Sequence, residues 1–221
     1  MNDQEEDEEI TGKNGCTAGV KALRLCFQSL LDRHTDFRFT GRLMSLVAEI
    51  LKRDFVLKQN RKSLYFSREM PLLTTLEFDK RKSLISFLAN QFYLSHSTSR
   101  SSANVKVQGL SIKPRFVPDS ATHFRILNHL SIVSDFVFSK VSQRYKPLSH
   151  LNGISVMGYS DYIPCHTVED IEIEVPFPPE VCPWENDTVI QCYGIEFYRL
   201  SGVDTYMPVG MVDGVLVGDV F

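Results

Sequence analysis

Six histidines (His34, His96, His123, His129, His150, His166) and five cysteines (Cys16, Cys26, Cys165, Cys182, Cys192) are the side chains most able to hold a metal or form a nucleophile and its base. A helical zinc site needs two histidines four residues apart, and a zinc knuckle needs cysteines in C-x-x-C pairs; neither spacing occurs. His123 and His129 share strand parity, but at ~3.3 Å per residue they stand about 20 Å apart, too far for one metal. Cys165 and His166 come closest to a thiol and its base, yet neighbours on a strand point to opposite faces. An odd number of cysteines without a C-x-x-C pair reads as free, mostly buried thiols.

Carboxylates are the next candidates. Glu172 and Glu174 fall on one strand face roughly 7 Å apart, a separation compatible with two-carboxylate glycoside chemistry. With Asp161, Glu169 and Asp170 they equally describe a solvated acidic strand face. The Gly-turned ligand spacing of an EF-hand is missing. Trp184 and Tyr193 beside a proline-rich loop are candidate ligand contacts, a sugar-stacking platform if both rings face outward. Lys52, Arg53, Lys58, Arg61 and Lys62 form a candidate basic patch able to neutralise phosphates, but no helix-turn-helix, RNP-type or zinc-finger pattern accompanies them. Phosphate loops of the G-x-x-x-x-G-K or G-x-G-x-x-G type are absent.

The elements that must position these residues follow from periodicity. Residues 1–10 carry six acids and no base, and residues 1–15 read as a disordered acidic tail. Val20, Leu23, Phe27 and Leu30 repeat at helical spacing, as do Leu43, Met44, Val47, Ile50, Leu51 and Phe55 after a break; Thr40 is the expected N-cap. The spacing predicts two antiparallel helices within residues 16–70. Beyond residue 70 the period changes to two. Phe124, Ile126, Leu130 and Ile132 share one parity, and Ile171, Ile173 and Val175 alternate with Asp170, Glu172 and Glu174. Gly109 interrupts the phase of its strand, which predicts a bulge. The expected class is α+β: an N-terminal helical pair followed by an antiparallel β-sandwich of about seven to nine strands over residues 71–221.

Charge is segregated along the chain. Residues 21–68 hold eleven Lys/Arg against four acids, whereas residues 150–221 hold Arg199 alone against twelve acids, although the whole chain is only −3. A basic helical part and an acidic β part can attract each other within or between molecules. The acidic start has neither the charge nor the apolar region of a secretory leader, and no apolar run is long enough to span a bilayer. Cytoplasmic residence is the expectation.

Three segments carry a resemblance: Leu76-Glu77-Phe78-Asp79, Ala121-Thr122-His123-Phe124-Arg125 and Gly194-Ile195-Glu196-Phe197-Tyr198-Arg199. In order and rough spacing they resemble the G-F-E-F-N, A-T-H-F-R and G-I-E-F-Y-Q motifs of a family of uncharacterised bacterial proteins, over roughly residues 14–221. Leu76, Asp79 and Arg199 replace the family's glycine, asparagine and glutamine. The resemblance implies a helical pair before a sandwich, and transfers no site.

These features together lead us to expect a non-enzymatic structural or protein-interaction module without a cofactor. Its partner would be another protein or a second copy met through the charge-segregated surfaces. The alternatives are a carbohydrate-binding module using Trp184 and Tyr193, or nucleic-acid binding through the basic helices.

Overall fold

In a computed structural model of the chain, residues 3–53, 63–80, 84, 90–209 and 214–221 are described, the first eleven of them as backbone. The helices are α1 (Asp3–Cys26), α2 (Gln28–His34), α3 (Phe39–Arg53) and the single turn α4 (Met70–Leu73). The backbone is helical from Asp3 onward, where composition predicts a tail outside the fold. The run of Glu and Asp suits that position, because acids favour the positive N-terminal end of a helix dipole. α1 and α3 are antiparallel, as their periodicity predicts: Cys16 Sγ meets the Met44 carbonyl while Arg24 Nη1 donates to Thr40 Oγ1. Thr40 is therefore inside α3 rather than its N-cap.

Eleven strands are described, more than the alternation predicts, because β4 (Phe136–Ser139), β5 (Arg144–Pro147), β7 (Ile163–Pro164) and β10 (Tyr206–Pro208) are too short to show a period. The central sheet runs β10-β9-β3-β6, with β3 at His123–Ser134, β6 at Ser155–Tyr159 and β9 at Asp187–Leu200; β7 also pairs with β3, and β11 (Gly214–Val220) with β9. A three-stranded sheet, β1 (Phe92–His96), β2 (Ser102–Leu110) and β8 (Glu169–Pro176), and the β4-β5 hairpin complete the strands, and every pairing is antiparallel. Gly109 sits at positive φ where the β2–β8 register shifts, which is the predicted bulge.

Alternation along β3 and β9 distributes side chains between two cores. Phe124, Ile126, Leu130 and Ile132 join Val105, Val107, Ile171 and Ile173 of the smaller sheet, while Leu127, Val133, Ile190 and Cys192 join Leu23, Phe27, Leu43 and Val47 of the helices. The helices thus form a layer over the central sheet, sharing one hydrophobic cluster with it. The odd residues of β3, whose polarity suggests a solvent face, are covered by that layer from Leu127 to Val133. On β8 the expected pattern does hold, with Ile171, Ile173 and Val175 buried and Asp170, Glu172 and Glu174 exposed. None of the described helices is long and apolar enough to cross a membrane.

Candidate functional site

The most polar buried constellation lies at the joint between the helical layer and the central sheet. In the β3–β9 ladder His123 pairs with Tyr198, Arg125 with Glu196 and His129 with Cys192. All six follow the parity that faces the helices, and α2 ends directly above them with Arg33 and His34. Glu196 has 2 % of its side chain exposed and is met by three side-chain nitrogens: His34 Nε2 at 3.1 Å, Arg125 Nη2 at 3.2 Å and Arg33 Nη1 at 3.5 Å. Tyr198 donates a short hydrogen bond to Glu196 Oε2 and accepts from Arg125 and Arg33. A carboxylate can only accept, so His34 Nε2 carries the proton of its bond.

Burial alone would raise the Glu196 carboxyl, but hydrogen bonds from His34 and Tyr198 and the Arg33 charge hold it down at about 2. Burial and the hydrogen bond to Glu196 push Tyr198 up to about 12. Each group is thereby fixed in one protonation state across the neutral range, the opposite of an acid–base pair tuned to pH 7. The Arg125 guanidinium is covered by rings, 3.8 Å from the Tyr159 centroid and 4.8 Å from Tyr162, and Tyr162 in turn stacks on Tyr206. Such cation–π cover compensates a charge drawn out of water. The arrangement is that of an ionic lock joining α2 to two strands.

Two of the three motif segments build this lock: Ala121–Arg125 supplies Arg125, and Gly194–Arg199 supplies Glu196 and Tyr198. The remaining segment holds the next loop. Arg42 donates to the carbonyls of Glu77 and Phe78 and pairs with Asp36 at 2.9 Å, while the Phe78 ring packs against Phe27 and Phe39. Glu196 and Tyr198 belong to the Gly194–Arg199 segment that the sequence singles out, but their partners Arg33 and His34 lie in a polar stretch without a periodic signal.

The other sequence candidates are dispersed. Trp184 is 70 % exposed on a loop whose carbonyls Arg100 binds, whereas Tyr193 lies within β9, partly buried and stacked on Phe92. About 20 Å of strand separates Tyr193 from Asp187, which accepts the Trp184 N–H, so the two rings form no common platform. Lys52 and Arg53 are exposed at the end of α3, and Arg53 pairs with Glu49 and Glu69; Lys58, Arg61 and Lys62 lie outside the described residues. Glu172 is bound by Asn104 and Lys106 across the strand, and with Asp161, Glu169 and Asp170 it lines a cleft of about 450 Å³ beside Tyr159 and Tyr162. Cys165 is pushed up to about 11 by burial, the wrong direction for a nucleophile. Among the described residues no three His, Cys, Asp or Glu converge on a metal position.

The outer surface of the helical layer is different in character. One cleft of about 420 Å³ lies between α1 and α3, lined by Val20, Lys21, Arg24, Leu25 and Met44 among others. A second, of about 770 Å³, lies between α3 and α4 beside Phe37, Arg38, Leu72 and Lys80. Leu25 and Met44 are about half exposed and Phe37 is 83 % exposed, an unusual apolar display for a charged helical face. Compared with family models, curated proteins and solved structures, the chain matches none.

Proposed function

We propose that the protein is a non-enzymatic interaction module, a β-sandwich with a helical layer whose outer surface receives an acidic, partly apolar protein segment. The observation that carries this reading is the pair of apolar clefts rimmed by Lys21, Arg24, Arg38 and Lys80, with Leu25, Phe37 and Met44 exposed in them. An apolar floor supplies contact area and a basic rim steers an acidic partner. The smaller sheet offers a complementary surface on its outer face, where Asp170, Glu172 and Glu174 are exposed. The Glu196 lock supports the same reading, because Glu196 and Tyr198 are held away from neutral-pH proton transfer and their bonds to Arg33 and His34 tie α2 to the central sheet.

Size-exclusion chromatography with light scattering at low and high salt, paired with affinity capture on the immobilised chain, tests it. Complexes that weaken as salt rises are expected, since exposed charges are screened within about 8–10 Å at physiological ionic strength. A salt-independent monomer that retains no protein partner would overturn it.

A further inference from the structure

We infer that the cleft between α1 and α3 receives the Trp184 loop of a second copy. This rests on the interaction-module reading and names its partner. The loop, residues 177–186, joins β8 to β9 and carries the chain's single tryptophan. Trp184 is 70 % exposed, while Phe177 and Val181 of the same loop are buried in the core between the two sheets. Arg100 binds the carbonyls of Trp184 and Asp187, and the Asp187 carboxylate accepts the Trp184 backbone N–H at 2.9 Å. Pro178, Pro179 and Pro183 restrict the backbone further. The ring is therefore held out in water by a fixed frame, so little conformational entropy is lost when a partner covers it. Tryptophan is among the residues that most often anchor a protein contact.

Charge selects the receiving surface. Glu180 and Glu185 flank the tryptophan along the loop; both are exposed, and neither meets a cation among the described residues. The α1–α3 cleft is the converse, with Val20, Leu25 and Met44 as its apolar part and Lys21 and Arg24 at its rim. Both cations are exposed, Arg24 donates to Thr40 Oγ1, and neither has a carboxylate partner among the described residues. In the α3–α4 cleft, by contrast, Arg42 is paired with Asp36, Lys80 stands 4.0 Å from Glu77, and Glu49 adds an acid to the lining. Two unpaired acids beside a ring thus match two unpaired bases beside an apolar floor, in a cleft of about 420 Å³. Docking buries the indole against Leu25 and Met44 and brings each carboxylate toward a cation at the rim. Loop and cleft are different patches of one surface, so the contact is heterologous: each copy gives a loop and receives one. One ring and two ion pairs make a contact at the small end of interface sizes, so the association is weak and salt-sensitive.

The single tryptophan is also the reporter. In the full chain at low salt its fluorescence is expected to shift to the blue as concentration rises, and to return when salt is added, because the ring passes from water into an apolar cleft. Sedimentation equilibrium follows mass in parallel, with urea midpoints checking the fold. Trp184→Ala and Lys21→Glu/Arg24→Glu are each expected to weaken association by about thirtyfold or more, as loss of an interface anchor does. Their equimolar mixture is expected to recover a one-to-one complex, since one chain keeps the cleft and the other keeps the loop. A chain that associates without moving the emission, association retained by Trp184→Ala, or a mixture that stays monomeric overturns the inference. So does a native chain that is monomeric at every salt, although salt-sensitive capture of another protein would then leave the broader reading intact. Should Lys21→Glu/Arg24→Glu fail to fold, Trp184→Ala, which changes only an exposed ring, decides alone.

Discussion

Arg125 stands directly opposite Glu196 in the β3–β9 ladder, with its Nη2 3.2 Å from Glu196 Oε2. Among the described residues Glu196 is the carboxylate that Arg33, His34 and Arg125 share. Glu196→Gln therefore leaves cations facing one another in the joint, and is expected to cost about 3–5 kcal/mol, the usual penalty for stranding a buried partner. Arg33→Met should cost much less, since a third of the Arg33 side chain is exposed. Urea unfolding of the two variants measures the difference; equal losses would mean that the lock is not centred on Glu196.

His129 supplies a pH dependence of its own. It is fully buried, neither ring nitrogen has a hydrogen-bond partner, and burial together with nearby His34 lowers it to about 4. Between that value and the ordinary 6.5 the unfolded chain binds a proton that the folded one refuses. Stability from this residue is then complete above about pH 6.5 and falls by about 3 kcal/mol by pH 4. Glu196, lowered to about 2, adds a second loss that begins only below its ordinary 4.5. His129→Leu should flatten the pH 4–6.5 limb in urea titrations at several pH values, and an unchanged slope would assign that limb elsewhere.

Thiol chemistry should sort by burial. Cys182 is exposed, Cys26 and Cys192 are buried, and burial raises both buried thiols, Cys26 to about 12. Burial also raises Cys16 and Cys165. A thiol-reactive dye is expected to modify Cys182 quickly in the native protein and all five cysteines only in denaturant. Cys182→Ser should remove the fast phase.

Two glycines in the helical layer should respond in opposite directions to alanine. A Cβ on Gly19 would stand 2.6 Å from Leu64 Cδ2 and from Val47 Cγ1, so Gly19→Ala is expected to cost about 1–3 kcal/mol by prying α1 from α3. Gly41 meets nothing within 4 Å, and Gly41→Ala in α3 should gain about 0.5–1 kcal/mol from helix propensity. Thermal or urea midpoints compare them, and a neutral Gly19→Ala would show that α1 and α3 can separate locally.

Local letters alone were enough for the α+β class, the reversed helical pair, the bulge at Gly109 and the split of β8 into a buried and an acidic face. Each depends on the order of apolar and polar residues within a dozen positions, or on a glycine that tolerates positive φ. The lock was beyond their reach, because Arg33 and His34 stand more than 160 residues from the Tyr198 and Glu196 that they meet. A polar residue on a strand reads as solvent-facing until some other element is known to cover it. Only packing made His129 and Glu196 interior groups and partly covered Arg125, because α1, α2 and α3 close over the second face of the central sheet. Tertiary structure likewise parted Trp184 from Tyr193, for the distance along an extended strand grows with every residue that separates two positions.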